Sequence, residues 1–193
     1  MTEDKYQELY KINTIEYRTT IDKEKVVNEF YEPCLRLSKI YKRAAGFYSS
    51  ASLLNWVHCL VHFHNKSKKI FLLTSPYLSD KDQKLLEEIE NQDERINFQN
   101  KKLENLIEET IDTVASPNIA NIFKWLIAND KLEIRFAIPK HIPGSRDFHL
   151  KYGIFEFDSD IKIAFSGSAN ETLNGFLRND EQIPIYKSWE KQD

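Results

Sequence analysis

FHLKYGIFEFDSDIKIAFSGSANET, residues 148–172, decides how this chain is read. Its two apolar runs are of strand length, and FDSD between them is built from residues that turn a chain. The runs are therefore expected to pair antiparallel as a hairpin. In a strand, side chains two apart share a face, so His149 and Lys151 project together while Leu150 and Tyr152 face the other way. The returning strand brings Gly167, Ser168 and Asn170 back toward the histidine end, and Gly167 lets the backbone bend where that strand stops. An imidazole, an ammonium, a hydroxyl and a carboxamide then converge. Imidazole serves as nucleophile or general acid/base near neutral pH, and the other three are donors suited to the non-bridging oxygens of a phosphate. Such a set suits phosphoryl transfer and requires neither a metal nor a cofactor.

Outward from this stretch, helical and strand patterns alternate. Residues 22–41 have helical spacing at Val26, Val27, Phe30, Leu35 and Leu37, broken by Pro33, and AAGFYSS reads as a short strand closing into a turn. Residues 50–65 read as a helix. KIFLLTSP is an apolar run of strand length ended by Pro76, and Ser79 is placed to cap the long charged helix that follows. After the interruption at Ser116-Pro117, NIANIFKWLIAND sets Ile119, Ile122, Phe123, Leu126 and Ile127 on one helical face. LEIRFAIP, FHLKYGIFEF and IKIAFSG are then strands in close succession, and IPIYKSW is a last one. Strands separated by helices early and hairpin-like strands late predict an α/β fold, a mixed sheet flanked by helices.

The chain has 193 residues, 41% of them hydrophobic, and no internal repeat or Gly/Pro-rich linker. These features fit one domain spanning residues 1–193. No apolar run approaches the ~20 residues needed to cross a bilayer, and MTEDKYQELYK has no apolar signal-peptide core. Two cysteines, Cys34 and Cys59, suit a reducing compartment, so a cytoplasmic protein without membrane partners is expected. A net charge of -3 argues against a surface coated with basic charge. The acids concentrate over residues 87–112, however, whereas KHIPGSRDFHLK at 140–151 carries Lys140, Arg146 and Lys151 against Asp147, leaving room for a locally positive groove.

The H-x-K of His149 and Lys151, followed by the G-S-x-N of Gly167, Ser168 and Asn170, resembles the HKD signature of the phospholipase D superfamily. Glu181, eleven residues after Asn170, resembles the glutamate that orients the histidine in single-motif nucleases of that superfamily. RAAGFYSSASL, LTSPYLSDKD, KWLIANDKLEIRFAIPK, FHLKYGIFE, AFSGSANETLNGF and YKSWE together resemble the phospholipase D-like module that often precedes a superfamily II helicase in bacterial restriction and phage-defence proteins. The likeness spans most of residues 43–190, with residues 1–42 as a helical lead-in. It implies a phospholipase D-like sheet with helices on both faces, and catalytic residues His149, Lys151, Ser168, Asn170 and Glu181. The sequence departs from the pattern at one position: the motif aspartate, five residues after the lysine, is replaced by Glu156, with Asp158 two further along, and Glu156 is given no chemical role.

The resemblance also implies a two-step displacement in which one histidine attacks phosphorus, a second protonates the leaving oxygen, and water releases the product. That requires two motifs, and the chain holds one. A homodimer is therefore expected, with a composite site on its two-fold axis. DNA is the expected substrate, because single-motif members are mostly nucleases, and a helicase domain in the same or a partner chain is an expected partner. Two alternatives stand beside this reading: a non-catalytic module that dimerises and holds nucleic acid for a helicase, and a lipid phosphodiesterase, against which the absence of an amphipathic or basic membrane-facing segment counts. Other clusters read more simply. His58 and His62 share a helix face with metal-ligand spacing, yet with Asn55 and Asn65 they mark the polar side of an amphipathic helix, and no metal is expected. The acidic run at 87–112 is a solvated helix face, and Trp125 and Trp189 are core or core-edge residues. Arg178 reads equally as a phosphate contact or a surface residue.

Overall fold

The computed structural model describes residues 7–12, 17–18, 26–45, 63, 68–74, 88–113, 117–137, 150–158, 160–166 and 182–190. In chain order these form α1 (Gln7–Tyr10), β1 (Tyr17–Arg18), a π-helical segment (Val26–Tyr31) running into α2 (Glu32–Leu37), β2 (Ile40–Ala45), β3 (Lys69–Thr74), α3 (Gln92–Thr113), α4 (Pro117–Ala128), β4 (Leu132–Phe136), β5 (Tyr152–Glu156), β6 (Lys162–Ser166), β7 (Gln182–Ile183) and β8 (Ile185–Lys187).

Six strands make one mixed sheet in the order β4-β3-β2-β5-β6-β8. The early strands β2, β3 and β4 are parallel, and β5, β6 and β8 continue the sheet antiparallel, as the change from helix-separated to hairpin-like strands predicts. β1 and β7 form a separate two-stranded ribbon. Pro184, which has no N–H to give to a ladder, stands at the step from β7 to β8.

Two expectations are corrected. The helical pattern of residues 22–41 ends at Leu37, because Ile40 and Tyr41 already belong to β2; Pro33 lies in the first turn of α2, where a missing N–H costs nothing. The strand read at AAGFYSS starts earlier, at Ile40: its described part is IYKRAA, which shares Ala44 and Ala45 with that reading, and residues 46–50 lie outside the described residues. The adjacent charges Lys42 and Arg43 disguise it: Lys42 points outward to Glu156, and Arg43 points inward. Apart from Phe63, which is buried, the helix read at 50–65 lies outside the described residues, as do His58, Cys59, His62 and His64.

Elsewhere local chemistry sets the boundaries. The carboxamide oxygen of Asn91 accepts hydrogen bonds from the backbone N–H of Asp93 (2.8 Å) and Glu94 (3.3 Å), which caps α3 and sets two acids at its positive end; Ser79 lies outside the described residues. Helix α4 closes with Lys131 N–H on Leu126 O and Asp130 N–H on Ile127 O, the paired bonds of a Schellman ending, with Asp130 at φ 55° in the left-handed position. The described acids of the 88–112 run, such as Glu94, Glu104 and Glu108, are exposed, in agreement with a solvated face. Trp189 packs against the core, but Trp125 is 40% exposed on α4.

One face of the sheet is the core. Tyr41, Ile70, Leu72, Leu132, Ile134, Phe155, Ile163, Phe165 and Ile185 all point into it. Tyr41 stacks on Phe155 at 4.5 Å, and Phe30 of the π-helical segment stands edge-on to Phe155 and Phe165. Cys34 is fully buried here; burial first, and the nearby Glu8 carboxylate second, push its thiol well above the usual range, so it stays a neutral thiol. The other face is partly open and carries ion pairs. There Lys69 (2.9 Å), then Arg135, hold the Glu133 carboxyl below the ordinary carboxylate range.

Candidate active site

The hairpin expected from the sequence is present. β5 and β6 pair antiparallel with Tyr152 opposite Ser166 and Glu156 opposite Lys162, and the turn closes through Phe157 N–H on Ile161 O (3.0 Å) and Ile161 N–H on Asp158 O. Consequently the start of β5, which follows His149 and Lys151, lies beside the end of β6, which precedes Ser168 and Asn170. Ser166 N–H donates to Pro184 O (3.2 Å), so the chain just after Glu181 also comes to this end of the sheet. The carboxyl ends of the parallel strands finish there too: Ala45 pairs with Thr74, Thr74 with Phe136, and Ala44 with Tyr152. In open α/β sheets this is the end at which ligands bind.

Of the five residues assigned to the site, Lys151 is described. It is half-buried and immediately precedes β5; by strand alternation it falls on the same face as Gly153 and Phe155. His149, Ser168, Asn170 and Glu181 lie outside the described residues, as does Arg178.

Glu156 belongs elsewhere. It is the last residue of β5, five positions and about 17 Å of strand from Lys151, and its carboxylate is bound by Lys42 at 2.7 Å with Lys162 at 3.9 Å. Asp158, in the turn, pairs with Lys39. The acids beyond the lysine thus fasten β5 to β2 and β6 at the end of the sheet opposite the site.

Two residues that the sequence did not single out stand on the core face near the site end. Thr74, the last residue of β3, is fully buried, and its hydroxyl has no hydrogen-bond partner. Arg43, opposite Gly153 across the β2–β5 ladder, is 4% exposed, with its guanidinium 4.8 Å from the centre of the Phe165 ring. The only signal in the sequence was position: Arg43 is an odd-numbered residue in step with Tyr41 and Ala45, hence inward-facing once β2 starts at Ile40. Among the described residues no group of three or more histidine, cysteine or acidic side chains is arranged to hold a metal ion.

No protein-family model matches the chain, and no curated protein matches it. Among solved structures it is similar to NucT from Helicobacter pylori, at 13% sequence identity and a TM-score of 0.52 over 90% of this chain and 84% of that one. The likeness shows a phospholipase D-like fold, a mixed six-stranded sheet with helices. Among the described residues no helix is long and apolar enough to cross a membrane.

Proposed function

We propose that this protein is a metal-independent phosphodiesterase of the phospholipase D type that cleaves DNA through a phosphohistidine on His149. One observation carries the reading. The ladder that sets Tyr152 opposite Ser166 draws together the start of β5 and the end of β6, the two strand ends that H-x-K and G-S-x-N adjoin in the sequence. The fold likeness agrees, since NucT is a phospholipase D-superfamily nuclease.

In the proposed first step an imidazole nitrogen of His149 forms a bond to phosphorus as the bond to the leaving sugar oxygen breaks. A second imidazole gives that oxygen a proton. Water then attacks the phosphohistidine, surrenders its proton to the second imidazole, and frees His149 with a phosphate end on the product. Lys151, Ser168 and Asn170 hold the non-bridging oxygens as charge builds on them, and Glu181 orients His149. Because the chain supplies one motif, the second imidazole comes from a second copy across a two-fold axis, and the functional unit is a homodimer. We further propose service beside a helicase in a restriction or phage-defence system, on the strength of the sequence resemblance.

Glutamate in place of the motif aspartate and the acidic net charge of -3 are the two features that lean toward a non-catalytic DNA-holding module. Glu156 is occupied with Lys42 and Lys162 away from the strand ends, and so gives that reading no support. A lipid phosphodiester has no specific observation in its favour.

The test is cleavage of single- and double-stranded DNA in excess EDTA, with light scattering on the same preparation. The expected result is chelator-resistant cutting by a dimer. Cutting that stops in EDTA, or that persists in a strict monomer, would oppose the composite site.

A further inference from the structure

A hydroxyl taken out of water by folding needs a new hydrogen-bond partner, and buried side chains that lack one call for a reason. Thr74 is such a case. Its side chain is fully buried and its hydroxyl has no hydrogen-bond partner, although its backbone oxygen accepts from Ala137 N–H at 2.8 Å. Valine has the same branched shape and would follow Ile70 and Leu72 along β3 with no polar group to satisfy. Packing alone therefore does not account for threonine here.

Its place in the sheet does. Thr74 is the last residue of β3, at the carboxyl ends of the parallel strands, and it lies on the core face in step with Ile70 and Leu72. Ala45 of β2 pairs with it, and Ala44 pairs with Tyr152, so the same ladder continued by one residue brings the backbone of Lys151 beside Ala45. Thr74, Ala45 and Lys151 thus form one row across the site end of the core face, with about 10 Å between the α-carbons of the outer two. On the sheet, only the methyl group of Ala45 stands between them.

We propose that Thr74 is a positioning residue of the phosphodiester site: its hydroxyl gains a hydrogen-bond partner when the site takes up phosphate, and holds that partner in place. This rests on the function proposed above. Because the hydroxyl is buried, it acts on the phosphate through the groups that close over it and not by contact. The empty protein carries an unsatisfied polar group, and loading the site removes that cost, so part of the binding free energy comes from inside the fold. Stability of the empty protein and affinity for the ligand therefore oppose each other at this one atom.

The experiment compares the native chain with Thr74→Val, which keeps the shape and removes the hydroxyl, and with Thr74→Ser, which keeps the hydroxyl and removes the methyl group. Melting temperature is measured without ligand. Binding of inorganic phosphate is measured by calorimetry and of a short single-stranded oligonucleotide by fluorescence anisotropy, with cleavage in EDTA followed in parallel. The expected result for Thr74→Val is a melting temperature higher by about 3 °C, together with roughly tenfold weaker binding of both ligands. Thr74→Ser should melt below the native chain and bind as the native chain does. Native-like binding by a folded Thr74→Val would overturn the proposal and leave the hydroxyl an idle orphan. A lower melting temperature in Thr74→Val would also overturn it, by showing that the hydroxyl is already satisfied in the empty protein. If Thr74→Val does not fold, Thr74→Ser is compared with Thr74→Ala: about tenfold tighter binding by the serine variant supports the hydroxyl, and equal binding opposes it. A native protein that binds phosphate in a Thr74-dependent way yet never cuts DNA would sustain the positioning role while removing the nuclease function. Metal-free cutting by the native chain, with binding and cutting unchanged in Thr74→Val, would do the reverse. A native chain that binds neither ligand would remove both.

Discussion

Replacing Lys151 with alanine is expected to lower DNA cleavage by about a hundred- to a thousandfold, the cost of removing one well-placed donor from a developing oxyanion. The ammonium would neutralise charge on a non-bridging oxygen, so its loss should reduce the cleavage rate even at saturating DNA. Lys151→Arg should recover part of the rate, since it restores charge with a different reach and a planar head. Lys151 is half-buried and immediately precedes β5, whose first residue Tyr152 is paired with Ala44 and Ser166, so the fold should survive the change. Single-turnover cleavage in EDTA, with melting curves as a control, checks this. A folded Lys151→Ala that cuts at the native rate would remove lysine from the site.

The second large effect concerns packing. At Gly153 an alanine β-carbon would fall 2.2 and 2.3 Å from two atoms of the Phe165 ring, well inside contact distance. The ring cannot move away cheaply, because Phe30, Tyr31, Phe155 and the Arg43 guanidinium surround it. Overpacking of this sort costs about 1–3 kcal/mol, sometimes more. For a chain of this length that corresponds to a melting temperature lower by roughly 3–10 °C. Phe165→Ala alone should cost about 3–5 kcal/mol through the cavity it opens. In the double variant the two losses should fall well short of additive, because the small side chain at 165 admits the methyl group at 153. Fully additive losses in chemical denaturation would show that the ring does not rest on the glycine.

Much of this architecture could be read from residues 148–172 and their neighbours. Alternation and turn chemistry are local signals, so the hairpin of β5 and β6, the strand KIFLLTSP, helix α4 and the final strand all lie where the sequence puts them. Failures came where charge masked periodicity. Lys42 and Arg43 hid β2, since an ion pair across to Glu156 and a cation stacked inside the core depend on partners more than 100 residues away in the chain. Trp125 was misplaced for a related reason: a helical stripe of apolar residues does not reveal which edge of the stripe stays in water. For the site, the sequence named residue types and order. It could not show that Glu156 belongs to the far end of its strand, nor that Thr74 and Arg43 approach the near end, because both facts follow from the register between β2, β3 and β5.

His149 is the proposed nucleophile, and the most direct measurement is of the bond it would form. DNA carrying labelled internal phosphates is mixed with the native protein and with His149→Asn in EDTA, quenched within the first turnover, and the protein is examined for attached label. The expected result is a label on His149 that is stable to alkali, is lost in acid, appears before free product, and is absent from the variant. Cleavage by the native chain with no attached label, or a label at any other residue, would contradict the mechanism.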